Sequence, residues 1–297
     1  MITVFTPAYN RAHLLPRLYE SLQRQTFHDF EWVIVDDGSV DETASLFSSN
    51  ENDNENENGN VKIRYFYQEN GGKHRAINRG VKEARGELFF IADSDDWLPD
   101  DALETVAKIY DDIRDDASFA GVCGLDGTPD GEIIGSGLPQ EVIDDNSLAI
   151  RFKLGVTGDM KEVFRTDVMK AFPFPEIIGE RFCPEMLVWN RIATKYKLRF
   201  FNRIIYLAEY QSDGITSAIV KVRMQSPVAS MMTYSELVKT SIVPFAKKVR
   251  AAINYWRFRL APLQLPPIGG ETIPKLKWWW NWTMPIGYLM HVRDVHN

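Results

Sequence analysis

Cysteine is scarce in this sequence, which excludes the small domains that disulfides or structural zinc hold together. Only Cys123 and Cys183 are present among 297 residues, without a Cys-x-x-Cys pair or a Cys/His cluster, so neither kind of site is predicted. The histidines show no metal-binding spacing, and Gly-x-Ser-x-Gly and Walker-type glycine-rich motifs are absent. Serine-hydrolase and P-loop chemistry are therefore not expected.

Long apolar runs are also lacking. No stretch reaches the roughly 18 apolar residues that a membrane-spanning helix needs, and residues 1–6 show no basic segment that leads into an apolar one. We therefore expect a cytoplasmic protein that does not cross a bilayer.

The chain has no excess of positive charge, because its formal net charge is -7. We therefore do not expect nucleic acid as its main partner. The charge is uneven, since residues 221–297 hold 11 lysines and arginines against 3 acidic residues, while the first 220 residues hold 23 against 38. A basic segment suits a negatively charged surface such as a membrane leaflet.

The sequence does contain a regular alternation of short apolar runs and amphipathic stretches. The runs at 2–6, 30–35, 61–67 and 87–92 predict buried strands, with helices between them. Ser39 and Glu42 form a Ser-x-x-Glu capping box, which predicts a helix after the second strand. This order is typical of βα units in a mainly parallel, Rossmann-like mixed sheet, so the predicted fold class is α/β.

The chain divides by composition into an α/β domain at 1–218 and a basic, aromatic, helical extension at 219–297. The extension contains Trp278-Trp279-Trp280-Asn281-Trp282. Tryptophan beside basic charge suits peripheral contact with the inner face of the cell membrane. Packing of these tryptophans on the α/β domain or on a second subunit is the alternative, and the oligomeric state is left open.

Two acidic clusters follow predicted strands, Asp36-Asp37 after the second and Asp93-Ser94-Asp95-Asp96 after the fourth. Open α/β sheets bind ligands at the carboxyl ends of their strands, so both clusters are expected in one cleft. Neighbouring carboxylates repel each other unless a cation or a ligand compensates them. Mn²⁺ or Mg²⁺ held there could neutralise a diphosphate leaving group. A simple acidic turn before a helix is the alternative.

These clusters belong to a set of motifs that follow one another in the first third of the chain. The motifs are Thr6-Pro7-Ala8-Tyr9-Asn10-Arg11, Val33-Ile34-Val35-Asp36-Asp37-Gly38-Ser39, Asn70-Gly71-Gly72, Asn78-Arg79-Gly80, Ala84-Arg85-Gly86-Glu87 and Asp93-Ser94-Asp95-Asp96. Together they resemble the inverting family 2 glycosyltransferases of the GT-A fold. The processive signature Gln-x-x-Arg-Trp of that family is absent, which favours a non-processive enzyme of the bacterial polysaccharide type.

The resemblance implies that 1–218 is a catalytic domain, with a nucleotide-binding half at 1–117 and an acceptor half at 118–218. It also implies roles for the matching residues. Pro7 and Tyr9 would lie against the nucleotide base, and Asp37 would accept a hydrogen bond from a base N–H, which suits a pyrimidine such as uracil. Asp95 would be the direct metal ligand, and Asp93 would contact the ribose or the metal shell. The remaining expected donor contacts are Arg11, Gly72, Lys73, Asn78 and Ser94.

Two adjacent residues at the start of one predicted helix are expected to lie near the diphosphate. Gly72 permits close approach of the backbone to a ligand, and Lys73 adds positive charge beside it. Arg75 is the competing cation, and a solvated helix position is the alternative for Lys73.

An inverting enzyme needs a carboxylate that deprotonates the acceptor hydroxyl as it attacks. Glu185, four residues before Trp189, is in the register of the family's base, although Pro184 replaces the usual acidic neighbour. Glu180 and Asp159 are competing candidates, and a carboxylate in the first turn of a helix is the alternative for Glu185. Asp213 is a further candidate for a donor or metal contact.

The resulting expectation is a metal-dependent, inverting glycosyltransferase. It would transfer a hexosyl or N-acetylhexosaminyl group from a nucleotide-diphosphate sugar, preferably a UDP-sugar, to a glycan or lipid-linked acceptor. One alternative is a sugar nucleotidyltransferase, although such enzymes usually carry a glycine-rich loop where this chain has Pro7-Ala8-Tyr9-Asn10. The other is a non-catalytic nucleotide-sugar or glycan-binding protein.

Overall fold

The computed structural model describes residues 1–47, 55–58, 61–209, 218–261 and 274–296. Within these ranges no helix combines the length and the apolar character that a membrane span requires.

A nine-stranded mixed sheet, in the spatial order β3-β4-β2-β1-β5-β8-β6-β9-β7, forms the framework. Parallel pairing joins β1 to β2 and β5, β2 to β4, and β6 to β9, while β3, β7 and β8 run in the opposite direction. The predicted α/β class is confirmed. The strands are β1 Ile2–Ala8, β2 Phe30–Asp36, β3 Glu55–Asn58, β4 Val61–Tyr67, β5 Leu88–Ile91, β6 Phe119–Gly127, β7 Val142–Asp145, β8 Met160–Arg165 and β9 Lys197–Leu207.

Helices follow the strands and continue into the C-terminal part of the chain, as expected there. Short 3-10 helices span Ala44–Leu46 and Trp278–Thr283. The α-helices are α1 Leu15–Gln23, α2 Lys73–Glu83, α3 Ala102–Asp111, α4 Ser147–Phe152, α5 Thr166–Ala171, α6 Glu185–Ala193, α7 Ile219–Gln225, α8 Pro227–Lys239, α9 Phe245–Arg259 and α10 Met284–His296.

The apolar runs become central strands because helices cover the sheet. Every residue of β2 is buried, and only Pro7 of β1 is partly exposed. Continuous burial of this kind is the usual state of parallel strands. Leu15, Leu18 and Leu22 of α1 recur at helical spacing and join the same core as β1 and β2. This core fixes the positions of the loops that leave the carboxyl ends of the strands.

The helix start predicted from the Ser39–Glu42 capping box is wrong, because the helix that follows β2 is the short 3-10 helix that begins at Ala44, with Thr43 at its N-cap position. Ser39 Oγ instead accepts a hydrogen bond from the Asn10 N–H at 2.8 Å, and Asn10 Oδ1 accepts one from the Val40 N–H at 2.9 Å. The Ser39 N–H donates to Asp36 Oδ1 at 2.7 Å. These side chains therefore tie the loop after β1 to the loop after β2 and do not cap a helix.

The chain divides into two compact units. The first comprises Met1–Pro173 and Ile192–Gln211 and contains the sheet, and the second comprises Phe174–Arg191 and Ser212–Asn297. The segment Phe174–Arg191, which carries Glu185, thus groups with the C-terminal helices, although the sequence division placed it in the acceptor half. The functional division at 218 stays a prediction.

Candidate functional site

Two acidic loops lie at the same edge of the sheet. Asp37 follows the last residue of β2, and Asp93 follows β5 by two residues. Because β1 pairs in parallel with both strands, their carboxyl ends lie on either side of the end of β1, where Tyr9 begins the next loop. This is the edge at which open α/β sheets bind ligands. The topology therefore brings together the motifs that the sequence singled out.

Asp37 organises the glycine turn before α2. Its Oδ1 accepts hydrogen bonds from the Gln68 side chain at 2.7 Å and the Gly71 N–H at 2.9 Å, and its Oδ2 accepts one from the Gly72 N–H at 2.7 Å. Gly72 has a φ of 97°, which a residue with a side chain rarely adopts. The buried carboxylate therefore holds the turn from which α2 and Lys73 begin.

Lys73 joins the glycine turn to the acidic loop after β5. Its Nζ lies 2.7 Å from Asp93 Oδ1 and 2.9 Å from Asp93 Oδ2. Burial works against ionisation of Asp93, but the charges of Lys73 and Lys161 outweigh it and lower the pKa of the Asp93 carboxyl. Both side chains of the pair keep about a third of their surface exposed, so a ligand can reach them.

The other two carboxylates of the acidic loop are harder to ionise. Burial raises the pKa of Asp95, and the negative charge of Asp93 raises it further, while the positive charge of Arg11 lowers it. Burial and then Asp93 also raise the pKa of Asp96, to about 7. These effects mean that the carboxylates lie close together and that added positive charge would stabilise their ionised forms.

Asp96 has a structural partner in β9. The Tyr206 hydroxyl donates a hydrogen bond to Asp96 Oδ2 at 2.8 Å and accepts one from the Asp93 N–H at 2.7 Å. The Glu209 N–H donates to Asp96 Oδ1 at 3.2 Å. Asp96 therefore fixes the conformation of the acidic loop from inside.

Five residues that the sequence analysis did not identify support the loop. Lys161 Nζ lies 3.4 Å from the centroid of the Tyr206 ring. Arg17 donates to the Asp95 carbonyl, pairs with Glu209 at 2.6 Å and stacks on Trp97 at 4.0 Å. Trp97 directly follows the acidic motif, but the other four lie far from it in sequence, and only the strand order could have pointed to Tyr206 and Lys161.

The remaining residues that the sequence predicts to contact the donor lie in different places. Pro7 and Tyr9 lie at the end of β1, and Tyr9 is half exposed, as a side chain that stacks on a ligand must be. Arg11 is close enough to affect the ionisation of Asp95. Asn78 lies farther along α2, and Ser94 is buried within the acidic loop.

The three candidate bases have different surroundings. Glu185 begins α6 in the second compact unit. Glu180 is buried, and its two oxygens accept hydrogen bonds from the Val228 and Ala229 N–H groups of α8 at 2.6 and 2.9 Å. Asp159 is exposed in the first unit. Since α8 engages both Glu180 oxygens, that carboxylate has a structural task. Asp213 lies outside the described residues.

The carboxylates suit a divalent cation that also binds the substrate. No group of three histidine, cysteine or acidic side chains in the described ranges is arranged to hold a metal by itself. Asp93 and Asp95 nevertheless lie two positions apart in one loop, and burial together with the negative charge of Asp93 raises the pKa of Asp95, so that a cation there would stabilise the ionised form of Asp95. Mg²⁺ and similar ions bind through one or two carboxylates plus phosphate oxygens. The donor set therefore fits such an ion.

Curated relatives match between about a third and about three quarters of the chain. Glycosyltransferase GlyG of Streptococcus pneumoniae is 35% identical over 107 residues, which are 36% of this chain and 34% of that protein. Glycosyltransferase GlyA of the same organism is 27% identical over 217 residues, or 72% of this chain and 27% of that protein. This chain thus spans about a quarter to a third of the length of these two relatives.

A third relative matches over more of its own length. The GalNAc(5)-diNAcBac-PP-undecaprenol beta-1,3-glucosyltransferase of Campylobacter jejuni is 28% identical over 222 residues, which are 72% of this chain and 67% of that protein.

Solved structures resemble the fold over most of the chain. S. aureus TarS 1-349 in complex with UDP has a TM-score of 0.57 at 19% identity, covering 87% of this chain and 70% of that one. The mannosyltransferase PcManGT from Pyrobaculum calidifontis, in complex with GDP-Man and Mn²⁺, has a TM-score of 0.53 at 16% identity, covering 99% of this chain and 75% of that one.

The sequence profile described as glycosyl transferase family 2 matches residues 3–135. That range contains the glycine turn, the Lys73–Asp93 pair and both acidic loops. Residues 3–135 of the chain are therefore similar to glycosyl transferase family 2.

Proposed function

We propose that this protein is a metal-dependent, inverting glycosyltransferase that transfers a sugar from a UDP-sugar to a glycan or lipid-linked acceptor. The observation that carries the proposal is the pairing of Lys73 with Asp93, which joins the glycine turn held by Asp37 to the acidic loop after β5. It combines a phosphate-binding cation and metal-binding carboxylates at one edge of the sheet.

The donor nucleotide binds first in this proposal. Tyr9 and Pro7 contact the base, and Asp37 keeps one of its roughly four acceptor sites, on Oδ2, for a base N–H while it holds the glycine turn. Uracil is our choice of base, and the TarS structure with bound UDP supports it. The GDP-Man bound to PcManGT makes guanine the competitor.

Lys73 and the acidic loop act on the diphosphate. The Lys73 ammonium has three donor hydrogens, so it can bind a phosphate oxygen while it remains close to Asp93. Asp95 and Asp93 would hold Mn²⁺ or Mg²⁺, which supplies Lewis-acid stabilisation of the leaving diphosphate. The Mn²⁺ in the PcManGT complex supports this choice of ion. Arg11, Gly72, Asn78 and Ser94 complete the proposed donor site.

Glu185 is the proposed general base. The acceptor hydroxyl forms a bond to the anomeric carbon, the bond from that carbon to the diphosphate breaks, and the hydroxyl proton passes to Glu185. Attack opposite the leaving group inverts the configuration. The hexosyl or N-acetylhexosaminyl identity of the sugar and a lipid-linked acceptor are proposals, supported by the undecaprenol-linked substrate in the name of the C. jejuni relative.

Calorimetric titration with UDP, GDP and dTDP, each with and without Mn²⁺, tests the donor site. We expect UDP to bind tightest and its affinity to increase with Mn²⁺. Metal-independent binding, or no binding, would contradict the proposal. Released UDP in a transfer assay identifies a glycosyltransferase, whereas a sugar nucleotidyltransferase would release pyrophosphate.

A further inference from the structure

The second compact unit exposes large apolar side chains near its C-terminal end. Trp278 is 78% exposed, Phe245 69% and Leu289 67%. We define the aromatic surface as Phe245, Trp278, Trp279, Trp282, Ile286 and Leu289, all of which are exposed. Large apolar patches on soluble proteins commonly mark contact with a protein or a membrane.

These residues are connected through the packing of the 3-10 helix that carries the tryptophans. The Phe245 ring stacks on buried Trp280 at 5.8 Å, and Trp278 contacts Trp279 edge to face at 6.0 Å. In α10, Ile286 and Leu289 are three positions apart and therefore lie on one side of the helix. The ring contacts thus connect the start of α9, at Phe245, with the 3-10 helix that carries Trp278 and Trp279.

Helix α10 turns its small and polar residues inward. Gly287 packs so closely on α9 that a Cβ there would lie 2.5 Å from Trp256 Cβ and 2.8 Å from the Ile253 carbonyl oxygen. Asp294 forms an ion pair with Arg257, which is mostly buried. An ordinary surface helix packs its apolar side inward and exposes its polar side. The reversed arrangement leaves the apolar side of α10 for another partner.

The charge beside this surface is positive. Lys275 and Lys277 immediately precede the tryptophans and are exposed, and Lys277 Nζ lies 4.8 Å from the Trp279 ring centroid. Lys247 is exposed two residues after Phe245. In the described part of 218–296 the acidic side chains Glu236 and Asp294 are both paired with arginines. They therefore do not neutralise these lysines.

We propose that the aromatic surface, with Lys247, Lys275 and Lys277, docks on an anionic lipid bilayer. Indole rings favour the headgroup level, and lysines beside them are attracted to anionic headgroups. A second copy docked through the same surface would bring these lysines toward each other, which like-charge repulsion disfavours. The inference stands apart from the proposed function, because it involves neither donor nor metal.

Vesicle co-sedimentation of the full chain tests the proposal. The probes are vesicles of phosphatidylcholine alone and of phosphatidylcholine mixed with phosphatidylglycerol, at low and high salt. We expect binding to the mixed vesicles at low salt, weaker binding at high salt because surface charge is screened, and little binding to phosphatidylcholine alone. Equal binding to both kinds of vesicle, or none to either, overturns the proposal.

Paired variants separate the apolar and the charged contributions. Trp278→Ser with Trp282→Ser should lower the partition coefficient at least about tenfold through lost apolar burial. Lys275→Gln with Lys277→Gln should lower it about 25-fold, from about a factor of five for each lysine. Leu289→Ser gives a second, independent change in α10. Wild-type binding by all three variants overturns the proposal.

Matched controls come from the first compact unit. Leu154 and Lys170 are exposed there, and Leu154→Ser and Lys170→Gln should bind vesicles as the wild type does. Sedimentation velocity monitors self-association. A wild-type dimer that the tryptophan variant dissociates, without vesicle binding, would assign the surface to a second copy and overturn the membrane proposal. Calorimetry with UDP on the same samples reports separately whether the donor site is intact.

Discussion

Lys73 Nζ lies 2.7 Å from Asp93 Oδ1, and this ion pair connects the first residue of α2 to the loop after β5. The two residues are brought together because β4, which precedes α2, pairs in parallel with β2, and β1 pairs in parallel with both β2 and β5. Without ligand, the lysine stabilises the ionised form of Asp93. With a diphosphate present, the same ammonium can serve both anions, so its removal should weaken donor binding.

Lys73→Gln should raise the dissociation constant for UDP at least about tenfold, since a charge-assisted hydrogen bond to phosphate contributes roughly 1.5–3 kcal/mol. Calorimetry at constant Mn²⁺ measures the effect. Lys82→Gln, an exposed lysine in the last turn of the same helix, is the matched control. Equal UDP affinities of the wild type and Lys73→Gln would show that the lysine does not contribute to donor binding.

Tyr206→Phe should destabilise the fold and weaken donor binding together. The hydroxyl is buried and bonded to both the Asp96 carboxyl and the Asp93 N–H, so its loss leaves polar groups unsatisfied at a cost of about 1–3 kcal/mol. Urea unfolding and UDP titration measure the two effects. Tyr288→Phe removes a hydroxyl from an exposed tyrosine and should change neither. A stable Tyr206→Phe protein with normal affinity would mean that the hydroxyl does not organise the loop.

Gly38→Ala tests the close approach of the loop after β2 to the glycine turn. Gly38 has a φ of +88°, and a Cβ there would lie 2.7 Å from the Asn70 backbone nitrogen. Gly131→Ala is a well-matched control, because Gly131 has a φ of +80° but nothing within 4 Å of an added Cβ. The control should lose about 1–2 kcal/mol of unfolding free energy through backbone strain alone.

Gly38→Ala should lose more than the control and should also bind UDP more weakly. The difference between the two variants isolates the steric contact, because both carry the strain of positive φ. If urea unfolding shows the same loss of unfolding free energy for both variants, the glycine turn can move away from the added Cβ without cost.

Local patterns predicted the framework of this site well. The apolar runs that predicted β1, β2 and β5 are buried strands, and the motifs that follow them, including Asp37 and Asp93, lie at one edge of the sheet. Parallel pairing makes this outcome nearly obligatory, because carboxyl ends of parallel strands share an edge.

The long-range contacts that hold the loops of the site in place could not be predicted in the same way. Tyr206 lies 110 residues from its partner Asp96, and nothing near either residue in sequence indicates the contact. The Ser39 capping box failed for the opposite reason, since a nearby loop competes for the same side chain: Ser39 Oγ binds the Asn10 N–H. Ser, Asn and Asp side chains form such local bonds as readily in turns as at helix ends.

His74 should make the fold sensitive to acid. This histidine is buried in α2, and burial, together with the nearby charge of Arg75, lowers its pKa to about 4. The unfolded chain binds a proton near pH 6.5, so between pH 6.5 and about 4 it carries more protons than the native state. Stability contributed by neutral His74 is thus complete above pH 6.5 and is lost as the pH falls, up to about 3 kcal/mol.

His74→Gln should flatten the dependence of unfolding free energy on pH over this interval. Urea unfolding at a series of pH values measures it. The control His28→Gln changes an exposed histidine and should leave the wild-type slope. A His74→Gln protein with the full acid sensitivity would assign that sensitivity to other groups.

Substitutions can distinguish Glu185 from the two other candidate general bases. Glu185→Gln should reduce kcat at least about a hundredfold, as expected for loss of a general base, with the dissociation constant for UDP unchanged. Glu180→Gln should instead lower the unfolding free energy by about 1–3 kcal/mol, because its oxygens accept the Val228 and Ala229 N–H groups, and the folded variant should keep its turnover. Asp159→Asn, at an exposed position, should alter neither quantity. Transfer assays combined with urea unfolding distinguish the three variants. If Glu185→Gln keeps normal turnover and a well-folded Glu180→Gln or Asp159→Asn loses it, the residue whose substitution abolishes turnover is the base.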